Sequence, residues 1–288
     1  MFITIAIPIY NAEKYVANAI QSVLNQEHKN FELILINDGS TDNSMAIARS
    51  ITDSRIRIID DGVNKGLSER LNQIAKLARY DLIARMDADD IIPADRITRQ
   101  IKFLSENPSL DLVSMGLGYI DDKGVNDTFN PSNDIEFTLD KMLNGKHGIC
   151  HPTLLVRKSW YQRNIYDPRM KRIEDSELWL RAYLAQDLNV GFISDVGYYY
   201  RSDNTLSKSK YRTSFISKIF MIANKDICKR LKSKHIAKYA LKLLINEIIF
   251  PLGMQYRLLS RNSSSNADEC VIIKYNSTLA MIDKSLSN

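Results

Sequence analysis

Short apolar runs rich in isoleucine and valine alternate with helical stretches over the first 115 residues of the chain. The runs begin near Thr4, Phe31, Ile56, Leu82 and Asp111, at intervals of 25 to 29 residues. The stretches between them repeat their apolar positions every three or four residues, which is the period of an amphipathic helix. The first run has no alternating polar face, as expected of a strand that is covered on both sides. This pattern predicts repeated βα units, and therefore a mostly parallel sheet with helices on both faces.

The pattern becomes less regular after residue 115. It predicts a hairpin turn, a short helix, a strand, a second helix and a last strand, at Asp121–Gly124, Ile135–Leu143, Thr153–Val156, Glu177–Leu184 and Val190–Ile193. From Ser209 onward the only strand signal is at Cys270–Ile273. We therefore expect an α/β domain over residues 1–207 and a mainly helical C-terminal region over residues 208–288.

The composition is that of a globular protein with a substantial core. Of the 288 residues, 44% are apolar and 25% are charged. The three cysteines, Cys150, Cys228 and Cys270, lie far apart and without metal-ligand spacing, which fits thiols in a reducing compartment. The N-terminal run reads as a strand rather than a signal peptide. No stretch reaches the roughly 18–20 apolar residues that a membrane-spanning helix needs.

Polar side chains follow four of the predicted strands. Pro8 to Asn11 end the first strand, Asp38 follows the second, Asn64 follows the third, and the aspartates from Asp87 on follow the fourth. In an open α/β sheet the ligand binds just outside the carboxyl ends of the strands, so we expect these residues to surround one crevice. Tyr10 offers an aromatic face on which a base can stack. Asp38 is expected to be an isolated carboxylate that accepts a hydrogen bond from a ring N–H.

Three carboxylates, those of Asp87, Asp89 and Asp90, crowd the end of the fourth strand. Burying unpaired like charges is costly, and Mg²⁺ or Mn²⁺ carrying a phosphate removes that cost, because these cations bind oxygen ligands through one or two carboxylates. The alternative is that Asp89 or Asp90 caps a helix opened by Pro93. The chain has neither a Gly-x-Gly-x-x-Gly after the first strand nor a Gly-Lys-Ser/Thr loop, which argues against a nicotinamide dinucleotide site and a phosphate loop.

Four segments carry a family resemblance: Ile5–Asn11, Leu35–Asp42, Asn64–Leu67 and Arg85–Asp90. In their order and spacing they resemble the motifs of family 2 glycosyltransferases of the GT-A fold, over about residues 3 to 205. The resemblance implies a Rossmann-like, mostly parallel sheet with helices on both faces. It also implies a nucleotide-binding half at about 1–115 and an acceptor-side half at about 116–207, followed by the helical C-terminal region.

The resemblance assigns the donor site residue by residue. The nucleotide sugar would be bound by Pro8, Tyr10, Asn11, Asp38, Asn64, Arg70, Asp87, Ala88 and Asp89. Asp89 would ligate the Mn²⁺ or Mg²⁺ on the diphosphate. One position departs from the family, since many relatives carry an arginine where this chain has Leu71, and here the arginine is the preceding residue, Arg70.

The second half adds a candidate base. Glu174 and Asp175, in the segment Ile173–Arg181, resemble the Glu-Asp pair at the head of a helix that supplies the base in inverting members, and Asp175 would be that base. The simpler reading is that both acids favour a helix N-terminus through the macrodipole. His151 and Arg201 join Glu174 as acceptor or sugar pocket residues, and Trp179 is expected in the core. Arg201 with the turn at 202–207 resembles the loop that closes over the diphosphate in relatives.

The resemblance implies an inverting, metal-dependent hexosyltransferase. It would move a hexose or N-acetylhexosamine from a UDP-sugar to a glycan acceptor on a polyprenyl diphosphate, in bacterial surface polysaccharide (exopolysaccharide or O-antigen) synthesis, with no nucleic acid partner. One alternative is a sugar nucleotidyltransferase, although that class needs a glycine-rich loop where this chain reads Tyr10-Asn11-Ala12-Glu13. The other alternative is a non-catalytic carbohydrate-binding relative.

The net charge of +5 is concentrated in the tail. Residues 208–238 contain ten Lys or Arg and a single acid, Asp226. Apolar residues recur there at helical spacing: Phe215, Ile216, Ile219, Phe220, Ala223 and Ile227. Such a helix either packs its apolar stripe on the catalytic domain or binds an anionic membrane surface. The second reading predicts a cytoplasmic protein that is peripheral on the inner face of the cytoplasmic membrane.

Overall fold

A computed structural model describes residues 1–132, 135–202, 207–251 and 267–287. Its single eight-stranded sheet has the order β3-β2-β1-β4-β7-β5-β6, with β8 paired to β5 outside this path. The strands are β1 Ile3–Ile9, β2 Phe31–Asn37, β3 Ile56–Ile59, β4 Leu82–Arg85, β5 Leu112–Asp121, β6 Gly124–Phe129, β7 Leu155–Arg157 and β8 Val190–Arg201.

Helices cover both faces of the sheet, as the sequence predicts. They are α1 Val16–Leu24, α2 Ser44–Ser50, α3 Leu67–Leu77, α4 Arg96–Glu106, α5 Leu139–Asn144, α6 Lys158–Arg163, α7 Glu174–Leu184, α8 Lys208–Ala223, α9 Lys229–Ile249 and α10 Glu269–Leu286, with a 3₁₀ turn at His151–Thr153. One apolar core lies between the sheet and α1, α2 and α4. A second lies on the opposite face, against α3, α6, α7, α8 and α9.

The first four strands form the parallel half of the sheet. β1 pairs in parallel with β2 and β4, and β2 with β3. All seven residues of β1 are buried, which confirms the prediction that this strand is covered on both sides. The parallel arrangement brings the carboxyl ends of β1, β2 and β4 to one edge, where the predicted crevice should lie.

The second half makes the sheet mixed. β7 runs antiparallel to both β4 and β5, so it joins the two halves. The predicted hairpin turn is confirmed, because Asp121 pairs with Gly124 where β5 turns into β6. β8 runs parallel to β5 as far as Arg201, well beyond the predicted Val190–Ile193. This extension carries its tyrosines and Arg201 to the edge that β1 and β4 also reach.

Three further predicted elements differ from the structure. The helix predicted from Ile135 begins only at Leu139, because the Thr138 side chain accepts from Lys141 N and caps the helix there. Thr153 belongs to the 3₁₀ turn rather than to β7. The strand predicted at Cys270–Ile273 is wrong, since these residues open α10, where the Asp268 side chain accepts a hydrogen bond from Cys270 N.

The C-terminal helices pack on the α/β part. Met221 and Ile222 of α8 and Tyr239 of α9 are buried in the same core as Trp160 and Trp179. On the other side, α10 buries residues against α1 and β6. The helices beyond residue 207 therefore complete the apolar core of the preceding part. Within the described ranges, no helix is long and apolar enough to cross a membrane.

Candidate active site

A cavity of about 630 Å³ opens at the carboxyl edge of the parallel strands. Eight of the nine residues predicted to bind the nucleotide sugar line it: Pro8, Tyr10, Asn11, Asp38, Asn64, Asp87, Ala88 and Asp89. Tyr15 and Tyr200 also line it and were not predicted. The Tyr10 side chain is exposed, so its ring is available for stacking.

Asp38 is held by three hydrogen-bond donors at the wall of this cavity. Its carboxylate accepts hydrogen bonds from Lys65 N at 2.7 Å, from Gly66 N at 3.1 Å and from Arg70 Nε at 3.0 Å. The expectation that Asp38 is isolated is therefore wrong. Gly66, whose N–H is one of these donors, adopts φ 82°, a conformation that favours glycine.

Arg70 lies behind the cavity wall. It is the one predicted donor-site residue that does not line the cavity, and its side chain is fully buried. Besides Asp38, its guanidinium binds Asp61 Oδ1 at 2.7 Å. Hydrogen bonds from Arg70 and Lys65 lower the pKa of Asp61. The structure thus places Arg70 where it orients Asp38, so we correct its predicted role from ligand of the nucleotide to support of that carboxylate.

The aspartates after β4 point in different directions. Asp87 and Asp89 line the cavity, whereas Asp90 is buried and accepts from Tyr198 Oη at 2.7 Å and from Arg201 N at 2.6 Å. Asp90 therefore anchors the turn to β8. The alternative that Asp89 or Asp90 caps the helix opened by Pro93 is wrong, because α4 begins at Arg96 and its N-cap residue is Asp95. Burial raises the pKa of Asp90 well above its usual value, and the charges of Asp87 and Asp89 act in the same direction.

The cavity edge suits a divalent cation held jointly by protein and phosphate. Among the described residues, no three His, Cys, Asp or Glu side chains are grouped so that they could hold a metal by themselves. Mg²⁺ and Mn²⁺ need no such group when the ligand supplies phosphate oxygens. Asp87 and Asp89 provide carboxylates at the cavity wall, where Asp87 also pairs with Arg85. These residues fit the predicted metal.

A second cavity of about 390 Å³ adjoins the first, and Tyr200 lines both. Asp175 and His147 line the second cavity. Asp175 lies in the first turn of α7, and its Oδ1 accepts from Ser176 N at 2.6 Å. The helix N-terminus thus favours the Asp175 carboxylate and fixes it at the cavity wall, so the macrodipole reading holds, and the role of Asp175 as base stays a prediction that this position allows.

Glu174 faces a different space from its neighbour. It lines a third cavity of about 380 Å³, together with Asn64 and Gly66 of the first. Burial raises the pKa of Glu174, and the Asp175 charge adds to that effect. The two acids in the first turn of α7, Glu174 and Asp175, therefore line separate cavities.

The two histidines of the second cavity are held by their surroundings. His151 is buried, its Nε2 lies 2.8 Å from Tyr166 Oη, and its ring packs edge-on against Trp179. Burial lowers the pKa of His151 well below its usual value, so the ring is neutral at pH 7. Burial also lowers the pKa of His147. Trp179 is fully buried, which confirms its prediction as a core residue.

Arg201 closes the edge between β8 and the turn after β4. Its Nε donates to the Asp89 carbonyl at 3.1 Å, and its guanidinium lies 4.0 Å from the centre of the Tyr15 ring. Arg201 therefore reaches the wall of the first cavity through the backbone of Asp89. Residues 203–206 of the predicted closing loop lie outside the described residues.

Residues 4–164 of the chain match the family model described as Glycosyl transferase family 2. The chain belongs to this family. EpsE of Bacillus subtilis, a protein named as a glycosyltransferase, is 31% identical over 239 residues, which cover 80% of this chain and 83% of EpsE. The O-antigen biosynthesis glycosyltransferase WbnJ of Escherichia coli is 30% identical over 186 residues, or 62% of this chain and 70% of WbnJ. Membership favours the glycosyltransferase over the nucleotidyltransferase alternative.

The fold agrees with that of solved glycosyltransferases. The structure of residues 1–349 of S. aureus TarS in complex with UDP-GlcNAc superposes with a TM-score of 0.61 at 20% identity, covering 83% of this chain and 71% of that one. The mostly parallel central sheet with surrounding helices is the GT-A architecture, so the predicted fold class is confirmed.

Proposed function

We propose that this family 2 glycosyltransferase moves a hexose or N-acetylhexosamine from a UDP-sugar to a glycan acceptor, with inversion at the anomeric carbon. The observation that carries the proposal is the junction of two cavities at Tyr200, with Asp89 in the first and Asp175 in the second. An inverting displacement needs this separation, because the acceptor attacks from the face opposite the departing diphosphate.

The first cavity would bind the donor. Its exposed Tyr10 ring can stack on uracil, and the fixed Asp38 carboxylate can accept a hydrogen bond from the ring N–H. The complexes of TarS with UDP and with UDP-GlcNAc support a uridine donor. Asn64 and Gly66 line both this cavity and that of Glu174, so a donor group can extend between them.

Asp89, assisted by Asp87, would hold Mn²⁺ or Mg²⁺ against the diphosphate. When bound, the cation neutralises the negative charge that develops on the departing UDP. The residues around it determine where the carboxylates lie, since Asp90 and Arg201 fasten the turn to β8. The proposed metal site therefore depends on the end of β8, which lies more than a hundred residues after Asp90 in the sequence.

Asp175 would act as the general base in the second cavity. It takes the proton of the acceptor hydroxyl while that oxygen forms its bond to the anomeric carbon and the bond from this carbon to the diphosphate oxygen breaks. UDP leaves with the electron pair of the broken bond. A positioned base contributes roughly 10²–10⁴ in rate, and the hydrogen bond from Ser176 N supplies the positioning.

The acceptor is proposed to be a glycan of bacterial surface polysaccharide synthesis, carried on a polyprenyl diphosphate. The name of WbnJ, an O-antigen biosynthesis glycosyltransferase, supports the polysaccharide part of this proposal. The tail offers a way to reach such a lipid. Leu241, Leu244, Ile245 and Ile248 are exposed along one side of α9, next to a strongly basic segment. We propose that this surface, the α9 stripe, rests on the anionic inner face of the cytoplasmic membrane.

A donor screen tests the proposed reaction. UDP-glucose, UDP-galactose, UDP-GlcNAc and UDP-GalNAc are each incubated with the protein and Mn²⁺, and slow hydrolysis is followed as release of UDP. We expect at least one donor to be hydrolysed, and EDTA to stop the release. If none of the four donors is hydrolysed in the presence of Mn²⁺ or Mg²⁺, the result favours the non-catalytic alternative.

A further inference from the structure

Three lysines of the C-terminal helices converge on one aromatic ring. The Nζ atoms of Lys218 from α8 and of Lys238 and Lys242 from α9 lie 5.2, 5.7 and 5.5 Å from the centre of the Tyr239 ring. Tyr239 itself is buried, and its hydroxyl donates to the Leu143 carbonyl at 2.8 Å. We call these three side chains the Tyr239 lysine cluster.

One member of the cluster, Lys218, lies beside a residue that lines the second cavity. A methyl group placed on Gly145, which lines that cavity, would lie 3.7 Å from Lys218 Nζ. Lys218 also interacts with the charge of Asp175, the proposed base. The C-terminal region therefore places a positive charge, that of Lys218, within electrostatic reach of Asp175.

The positive charge of the cluster is only partly compensated by the protein. Lys238 donates to the neutral Asn144 amide oxygen, and Lys238 and Lys242 repel each other as like charges one helical turn apart. Burial lowers the pKa of Lys218, the Asp175 charge opposes this, and the charges of Lys242 and Lys238 lower the pKa further. A bound anion would offset this crowding.

We propose that the Tyr239 lysine cluster binds a phosphate or diphosphate group of the acceptor while the acceptor's hydroxyl faces Asp175. The proposal rests on the proposed glycosyl transfer, since it assigns the part of the chain that recognises the acceptor of that reaction. Ammonium groups on flexible stems suit phosphate as compact point charges, and a diphosphate presents enough oxygens for several of them. The donor diphosphate is a separate ligand, because Asp89 places it in the first cavity.

The test is a calorimetric titration of inorganic diphosphate into the full chain in EDTA, so that no metal-dependent donor site contributes. Wild type should bind, and Lys218→Gln and Lys242→Gln should each weaken binding about tenfold, the value expected for one charge-assisted contact. Lys229→Gln is the matched control, because Lys229 is an exposed lysine about 20 Å from Lys242 along α9. Decyl diphosphate should displace inorganic diphosphate, because it carries the same diphosphate group on an alkyl chain, as the proposed acceptor does.

UDP with Mn²⁺ is titrated in parallel and should bind wild type and all three variants equally. The proposal fails if wild type does not bind diphosphate, if Lys218→Gln binds it as well as Lys229→Gln does, or if decyl diphosphate does not compete. If UDP alone fails to bind, the proposed donor is wrong while the lysine comparison still decides the anion site. The two failures are thus distinguishable.

Discussion

At the scale of single residues, the neighbours Asp89 and Asp90 have opposite surroundings. The Asp89 side chain is exposed at the donor cavity, whereas Asp90 is 1% exposed and accepts two short hydrogen bonds. A carboxylate that carries out chemistry must reach the ligand, and one that holds a turn must reach its partners. Of two adjacent residues with the same side chain, one is therefore available to a ligand and the other holds the backbone in place.

We predict that Asp90→Ala lowers the free energy of unfolding by about 1–3 kcal/mol, because Tyr198 Oη and Arg201 N lose their buried acceptor. Asp89→Ala should change it by no more than about 0.5 kcal/mol, as expected at an exposed position. Urea denaturation of both variants and wild type measures the difference. Equal losses in the two variants would show that Asp90 does not anchor the turn.

Asp175→Asn should lower the rate of transfer at least about 10²-fold with UDP affinity unchanged, since the amide cannot take the acceptor proton. Glu174→Gln is the matched comparison, because Glu174 lines a different cavity. It should lower turnover far less. Turnover is measured with the donor found by hydrolysis, and UDP affinity by calorimetry. A variant Asp175→Asn that loses UDP affinity but keeps its turnover would place Asp175 in the donor site instead.

The residues of the strand ends could be predicted from the sequence, because each lies directly after an apolar run and parallel strands share one carboxyl edge. The sequence did not allow us to predict three other residues near the cavities: Tyr15, Tyr200 and Lys218. Tyr200 reaches the cavities only because β8 continues past a register shift opposite Gly116, and Lys218 only because α8 folds back over the sheet. Such placements depend on contacts between distant parts of the chain, which no local pattern records.

At the scale of elements, the predicted apolar stripe of the tail is divided between two environments. Phe215, Ile219 and Ile227 pack against the catalytic core, while Ile216 and Phe220 are exposed. The first of the two alternative readings therefore holds for part of the stripe. The sequence pattern did not single out the α9 stripe, because charged residues such as Lys242 and Glu247 interrupt its apolar residues.

The α9 stripe should bind anionic vesicles and not neutral ones, and the bound fraction should fall as salt rises, since each nearby lysine or arginine contributes about 1 kcal/mol at low salt. Sedimentation with liposomes measures this. The double variant Leu244→Ser/Ile248→Ser should weaken binding at least about tenfold by removing apolar area from the interface.

The control for this experiment is Ile165→Ser, which removes an exposed apolar side chain from the α/β part of the chain. It should bind vesicles as wild type does. The membrane role would be refuted by vesicle binding that is absent at low salt, that is independent of salt, or that Ile165→Ser weakens as much as the double variant does.

At the scale of the whole molecule, the active site is assembled from nearly the full length of the chain. The donor cavity comes from the ends of β1, β2 and β4, the proposed base from α7, the closing tyrosine from β8, and the lysines beside the base from α8 and α9. The family match ends at residue 164, so it covers the donor side. The proposed base and the Tyr239 lysine cluster both lie in the remaining part of the chain.

The central claim is that the cavity beside Asp89 binds a uridine diphosphate through a divalent cation, and UDP titration by calorimetry tests it most directly. Wild type with Mn²⁺ should bind UDP at least about tenfold more tightly than wild type in EDTA, because the cation joins the diphosphate to the carboxylates. Asp89→Ala should bind UDP equally weakly in both conditions. The claim would be contradicted by equal affinity of wild type with and without the metal, or by an Asp89→Ala variant that keeps the full effect of Mn²⁺.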